Sequence, residues 1–510
     1  TTFSDVLPNI PNPPSPYLES LRNAFWITRP WYMSRKTYDA IQTGGQPPYY
    51  EQETAFWQTL HEYGVRDLFI RRHCAIWRQY MPMNGDPYTF VATTDPRGGG
   101  DGACAAHIHQ LRDELGYRVG FYTNYTIISP LSYDIWHEDL VCRDSNWEWQ
   151  TGSLSTAMAK PSRVLPLQRQ FAGDLKNRFG VSCSYQDQIT CRPFWGCTDY
   201  DARVHGAARH DAVFRAHAEV LREERRIYEG PVLSEGACHW YFAGLCDSNY
   251  AQTTGMDKPG LLDFQLLRLH MLNNDCGAEI YQSDPDRLAA YCLAHGHIGH
   301  WTHSGHPKKL LEQGKLRDFL KAYFVLRAVQ PHYVAVSVQR IRYAEENGNW
   351  LTTEQAIRAG VHDLGRTEVL YTNGLRVRTN LGDTPWSIGG PATTTTLPPN
   401  GYVAEKGGRT IAAHTTVDGH PRHVAHGRDF VYVDGNGAAA DVGAAVCTNA
   451  IVVRRTMDRL LVRAAPFTTP ETITLRAGCL GLGKAVSVTL SEKSNGKAEV
   501  KLPKKGGTLR

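Results

Sequence analysis

From about Asn23 onward, short apolar runs bounded by Gly and charged residues alternate with longer segments of helical period, and this alternation limits the chain more than any other feature. The runs are GVRDLFIRRH (64–73), YRVGFYTNYTII (117–128), VSCSYQDQI (181–189), GPVLSEG (230–236) and GAEIYQ (277–282). Ahead of the third run, Leu167, Phe171, Leu175 and Phe179 recur at every fourth position; Phe214, His217, Leu221 and Tyr228 recur similarly ahead of the fourth. Such recurrence gives a helix one apolar face, and strand, helix, strand in succession builds a parallel sheet. Sustained over roughly 300 residues, the pattern predicts a closed (β/α)8 TIM barrel, which needs about that length. An open doubly wound sheet is the alternative, but no Gly-rich phosphate-binding turn follows the first run.

The flanks read differently. The Pro-rich opening, residues 1–22, is expected to be an irregular arm across the barrel, which is assigned to 23–350 and closed by a helical stretch from Leu316 to about Val329. After Gly365 the period falls to two. TEVLYTNGLRVRTN alternates apolar and polar residues around Asn373-Gly374, a type I′ hairpin signal, and further alternating runs follow to the C-terminus. An all-β sandwich is therefore expected over 366–510, as one domain or two small β modules.

In a (β/α)8 barrel the reacting groups sit where the strands end and the loops converge. Asp187 ends VSCSYQD and Glu235 ends GPVLSE, about one βα unit apart, so they are expected at the ends of adjacent strands. Strands lie about 4.8 Å apart, which lets their terminal side chains reach the separation of about 5–5.5 Å that a retaining glycosidase requires. Asp187 is the expected nucleophile. Glu235, followed by the aromatic CHWYF, is the expected acid/base. The competing reading of either carboxylate is a helix cap or an Arg partner.

These motifs carry a resemblance. Tyr185-x-Asp187 at one strand end, a Cys/Pro/aromatic loop with Asp199-Tyr200-Asp201, and Ser234-Glu235-Gly236 on the next strand resemble the barrel of endo-α-N-acetylgalactosaminidases and, more widely, of retaining α-glycosidases that include the α-galactosidases. The likeness covers about residues 60–345 in its order of elements. It implies hydrolysis of an α-linked glycan by double displacement, with the nucleophile at Asp187 and the acid/base at Glu235. The resemblance does not extend to the large N-terminal β domain of the endo-acting enzymes. The alternative function is a catalytically inactive carbohydrate-binding or structural surface protein on the same barrel.

Other polar and aromatic residues near strand ends are candidates for holding sugar: Arg72 and His73 after the first run, Tyr122 and Asn124 on the second, Trp136 in the loop beyond, and Tyr185. Asp199 and Asp201 can each take two sugar hydroxyls, and Trp195, Trp240 and Trp301 can stack on sugar faces. For any of these a loop-bracing role competes. The 12 Trp and 25 Tyr suit an oligosaccharide or glycan partner. A net charge of +4 gives too little basic excess for a nucleic-acid partner. No apolar run reaches the length of about 18 residues that a membrane span needs.

No cofactor is expected. The His-rich HGHIGHWTHSGH (295–306) does not match helix-borne zinc ligands and is read as sugar-site or loop histidines. For a structural Ca²⁺, pairs such as Asp247 and Asn249 are too common to make a motif. Twelve cysteines, with Cys183, Cys191, Cys197, Cys238 and Cys246 crowded near the two carboxylates, suit either loop-bracing disulfides or buried thiols. With disulfides the expectation is a secreted or extracytoplasmic protein whose signal peptide is absent or already removed.

Overall fold

The computed structural model describes residues 2–29, 49–72, 94, 99–130, 136–152, 156–250, 261–277, 284–303, 306–389, 394–441 and 443–503. Its centre is a parallel sheet of β1 (Phe25–Arg29), β2 (Leu68–Arg72), β3 (Arg118–Thr123), β4 (Ser184–Gln186), β5 (Val232–Glu235), β6 (Ser248–Tyr250) and β7 (Gly299–Thr302). The strands pair in the order β6-β5-β4-β3-β2-β1-β7. Cys276 then makes parallel bridges to Tyr250 on one side and Ile298 on the other. Backbone pairing among the described residues therefore runs the whole way round, and the expected TIM barrel is observed; of the apolar run at 277–282, all but Gly277 lies outside the described residues.

Helices α1 (Tyr49–Tyr63), α2 (Gly100–His109), α3 (Pro161–Phe179), α4 (His210–Tyr228), α5 (Pro285–His295) and α6 (Gln313–Val329) alternate with these strands. The fourfold recurrence has the expected outcome in α3, which buries Phe171, Leu175 and Phe179, and in α4, which buries His217, Leu221 and Tyr228. Proline in its first turn starts α3, and Gly180 in the left-handed region (φ 65°) ends it. Only one short helical turn, His239–Phe242, separates β5 from β6.

Side-chain parity follows from register. Trp26 pairs with Phe69 and Tyr122 with Tyr185, which aligns Phe69, Arg71, Tyr122, Tyr185 and Leu233 on the inner face and their chain neighbours on the outer. Arg72 is an outer residue. Its guanidinium lies 2.5 Å from Glu53 of α1, whose other oxygen takes Arg29 at 2.5 Å, and all three side chains are fully buried. His107 of α2 approaches the same carboxylate at 3.4 Å. Burial by itself would raise Glu53, but Arg72 and Arg29 outweigh it and hold the carboxyl well below its ordinary range.

The antiparallel sheet begins earlier than expected. Val338–Ala344 (β8), within the segment assigned above to the barrel, pairs with β9 (Arg366–Tyr371) of that sheet. Its Arg-rich sequence and mixed burial hide it from an apolar periodicity. The sheet continues through β10 (Arg376–Asn380), β11 (Gly401–Lys406), β12 (Arg409–Val417), β13 (His420–His426) and β14 (Phe430–Asp434), each paired with the one before. The hairpin at Asn373-Gly374 forms, but not as type I′: only Gly374 has positive φ (81°), and the loop closes by Tyr371 N–H donating to Leu375 O at 2.8 Å. That is the three-residue loop with a left-handed glycine.

One face of this sheet packs on the barrel. Tyr402, Ala404, Ala412, Ala425 and Tyr432 share a core with barrel residues. Polar contacts pin the same interface: Arg317 of α6 to Asp434 at 2.8 Å, and His423 and Lys321 to Asp286 Oδ1 at 2.9 and 2.7 Å. A four-stranded sheet with its own apolar core lies against the opposite face, completing the sandwich. The N-terminal arm is tied to the barrel by Asn12, which donates to Tyr241 O and Ala243 O, and by Ser15, bonded to Asp247.

Replacing Glu53 with Ala leaves two buried guanidinium groups without their anion and is expected to destabilise the barrel by about 3–5 kcal/mol. A drop of several degrees in the thermal unfolding midpoint is the check; an unchanged midpoint would show that the cluster contributes nothing.

Candidate active site

Asp187 directly follows β4 and Glu235 ends β5. Gln186 and Ser234 are register partners, so the two acids occupy the next paired position, about one strand spacing apart. Their Cβ atoms rise on the inner face. Gln188, one residue past Asp187, has left-handed backbone (φ 65°), an uncommon conformation for a non-glycine residue that clusters at functional sites. In that conformation its N–H donates to Glu235 Oε2 at 3.2 Å. A strained residue thereby links the two acids.

Among the described residues, three neutral donors hold Asp187. The Tyr122 hydroxyl donates to Oδ2 at 2.5 Å, the Asn124 amide to the same oxygen at 3.1 Å, and the Tyr185 hydroxyl to Oδ1 at 3.1 Å. Asn124 is itself fixed, because its Oδ1 accepts from Thr126 N–H and hydroxyl at 2.9 Å each. Tyr122 stacks on Tyr185, which stacks on Tyr250, and the two latter hydroxyls lie 2.8 Å apart. Burial first, and then the neighbouring Tyr250 and Asp187, pushes the Tyr185 phenol well above its ordinary range, so it stays a proton donor. The Arg71 guanidinium lies 3.9 Å from the centre of the Tyr185 ring.

Glu235 has a thiol neighbour. Burial first, then the charge and hydrogen bond of Glu235, pushes the Cys191 thiol far above the usual cysteine range. No disulfide forms here: the ten cysteines whose side chains are described, including Cys183, Cys191, Cys197, Cys238 and Cys246, are free thiols.

The other candidates divide by face and by partner. Tyr122, Asn124 and Tyr185 meet at Asp187. Arg72 points outward into the Glu53 cluster, and its neighbour Arg71 faces inward. Trp301 is also outward and buried, 5.9 Å from Phe319 of α6, so it belongs to the layer between barrel and helices. His73 lies outside the described residues. Asp201 is buried against Lys160 Nζ at 2.6 Å and takes Arg203 at 2.8 Å, while Asp199 accepts Arg143 N–H at 2.9 Å and Asp201 N–H at 3.2 Å. These contacts brace the loop after β4.

Trp240 is half-buried and stacked on Tyr241, with ring centres 3.5 Å apart. Trp136 is half-buried beside Trp149. Among the described residues the strongly exposed aromatic rings are Trp147 (49%), Trp149 (47%), Trp195 (46%) and Tyr200 (40%), all on the loops that follow β3 and β4. The loops are joined: Tyr200 N–H donates to Arg143 O at 2.9 Å, and the Gln150 amide to Thr198 O at 2.6 Å. The open rings thus lie on two loops that are held to each other. Sequence reading singled out Trp195 and Trp136; Trp147 and Trp149, in NWEW, were equally visible as tryptophans in a loop following a strand. Arg71 and Tyr250 were missed because parity has no anchor until the barrel closes.

Of the His-rich segment, His300 is on the inner face, stacked on Tyr250 and hydrogen-bonded to Thr28 Oγ1 at 2.7 Å, with burial holding it down at about 3. Asp247 is bonded to Val232 N–H and Arg225, and Asn249 to Thr190. Among the described residues, Asp286, His414 and His423 bring metal-ligand atoms within 4.8 Å of one another. They sit at the interface of barrel and sheet, where the Lys321 ammonium already supplies a positive charge to Asp286.

No protein-family model matches the sequence, and no curated protein does. Solved structures share the architecture. The ligand-free α-N-acetylgalactosaminidase NagBb of Bifidobacterium bifidum superposes with a TM-score of 0.54 at 14% identity, over 72% of this chain and 58% of that one. Its GalNAc complex gives 0.53 at 14% identity, over 72% and 57%. The chain thus spans less than two thirds of the length of NagBb, and at this identity the likeness is one of fold.

With its thiol protonated by burial and by Glu235, Cys191 is expected to resist iodoacetamide at pH 8 under conditions that label a free peptide thiol fully. Glu235→Gln removes the charge and is expected to raise the labelling rate several-fold. Peptide mass spectrometry reads both; rapid labelling of Cys191 in the unaltered protein would contradict the geometry described.

Proposed function

We propose that the chain is a glycoside hydrolase that cleaves an α-linked glycan with retention, Asp187 acting as nucleophile and Glu235 as acid/base. The observation that carries this reading is the pair of carboxylates at register-matched ends of adjacent parallel strands, opening on the inner face of a TIM barrel. One strand spacing suits two carboxyl groups that meet at a single anomeric carbon without a water between them. The fold shared with NagBb, an α-N-acetylgalactosaminidase, and the strand-end motifs that resemble retaining α-glycosidases support the choice of linkage.

In the first step Glu235 gives its proton to the glycosidic oxygen as the C1–O bond breaks, and Asp187 closes on C1 to form a glycosyl ester. In the second Glu235 takes a proton from water, the resulting hydroxyl attacks C1, and the ester bond electrons return to Asp187. Hydrogen bonds from Tyr122, Asn124 and Tyr185 favour the charged form of Asp187 and aim it. The exposed rings of Trp147, Trp149, Trp195 and Tyr200 offer stacking faces to the sugars or aglycone on either side of the cleaved bond.

Asp187→Asn is expected to lower turnover by about 10³-fold or more with an unchanged unfolding midpoint, and Glu235→Gln to slow natural glycans more than substrates with good leaving groups. A wide panel of aryl α-glycosides and natural glycans supplies the substrate. Proton NMR of the first-formed product is expected to show the α anomer; a β product would reject the retaining mechanism, and full activity of Asp187→Asn would reject the assignment.

A further inference from the structure

Behind the nucleophile, in the wall between barrel and helices, lies a carboxylate for which the hydrolytic steps have no use. Glu224 of α4 is fully buried, and its partners are all neutral. Oε1 accepts from the Ser184 hydroxyl at 2.7 Å, the Gln186 amide at 2.5 Å and the Thr123 hydroxyl at 3.3 Å. Oε2 accepts from the Gln168 amide of α3 at 2.8 Å and the Tyr125 hydroxyl at 3.2 Å. Burial pushes the carboxyl up to about 7.

The positions of these donors along the chain are what matter. Asp187 is held on the inner side by Tyr122, Asn124 and Tyr185. Thr123 and Tyr125 flank Asn124, Thr123 also follows Tyr122, Ser184 and Gln186 flank Tyr185, and Gln186 precedes Asp187. Every residue of the inner clamp therefore has a chain neighbour that binds Glu224, because successive strand residues face opposite sides. Gln186 Nε2 also donates to Thr123 Oγ1 at 2.6 Å, tying the ends of β3 and β4 together outside the barrel. A buried carboxylate with no cation beside it among the described residues is costly for folding, and an apolar contact between α4 and the sheet would be cheaper.

We propose that Glu224 is a positioning residue: from outside the barrel it fixes the ends of β3 and β4 so that the Asp187 carboxylate meets Tyr122, Asn124 and Tyr185. The kinetic consequence rests on the hydrolase reading; the structural consequence does not. Small displacements of a reacting group cost about 10²-fold in rate. Glu224→Gln keeps the size of the side chain but turns one acceptor oxygen into a donor facing other donors.

In the full chain, Glu224→Gln is expected to lower kcat by about 10- to 100-fold with KM within about twofold, and its crystal structure to show Asp187 withdrawn from the Tyr122 hydroxyl. Unchanged kcat overturns the proposal. So does a loss of rate matched by loss of folded protein while Asp187 stays in place. Should Glu224→Gln fail to fold, Gln186→Met and Thr123→Val each remove one donor; each is expected to lower kcat several-fold at constant KM, and wild-type rates in both would overturn the proposal. Asp187→Asn separates the two readings. If it turns over as fast as wild type, or no glycan is cleaved at all, the hydrolase assignment fails, and the position of Asp187 in the Glu224→Gln structure still decides the role of Glu224.

Discussion

Parallel pairing of β4 with β5 is the constraint on which the rest of the site depends. Once Gln186 stands beside Ser234, the next residue of each strand is fixed to the same level and the same face, and both of those residues are acids. Two carboxylates brought this close repel each other when both are charged. Among the described residues, Tyr122, Asn124 and Tyr185 donate to Asp187, and the Gln188 N–H donates to Glu235, beside a Cys191 thiol that burial and the acid keep protonated.

The barrel wall carries polar clusters on both sides of its strands, and they differ in kind. Inside, tyrosines and Arg71 stack with their polar tips directed at one another and at Asp187. Outside, the Glu53 cluster ties α1 to β1 and β2 with full charges, and the Glu224 cluster ties α3 and α4 to β3 and β4 with neutral donors around one acid. Each outer cluster fixes strand ends whose inner neighbours face the mouth. Helix packing and site geometry are in this way parts of one hydrogen-bonded structure, as the period-two alternation of a strand requires.

The antiparallel sheet completes the wall on the opposite side. Its tyrosines and alanines enter the barrel's own core against α5 and α6, so it covers helices that would otherwise expose apolar faces. One histidine of this interface is held low by burial: His414 lies at about 3, and its ring stacks 4.0 Å from that of His423. Burial thus keeps the His414 imidazole neutral near pH 7, while His423 is hydrogen-bonded to Asp286.

Much of this was legible in the sequence where periodicity was strong. The fourfold apolar recurrence in α3 and α4 and the apolar runs ending in Asp187 and Glu235 gave the barrel, its helices and its two acids, because burial of one helix face and of whole strands is written directly into residue spacing. The strands β1, β6 and β7 were not legible: FWITR, SNY and GHWT mix polar with aromatic residues, and only closure of the ring makes them strands. Nor could sequence settle which of Arg71 and Arg72 faces the mouth, whether Asp199 and Asp201 turn to solvent or to Lys160, or that Trp301 lies behind the barrel. Residue spacing determines which face of an element is apolar, since that is a local property of one strand or helix. Which polar residue then finds which partner depends on register between strands far apart in the chain, and only the closed tertiary structure decides it.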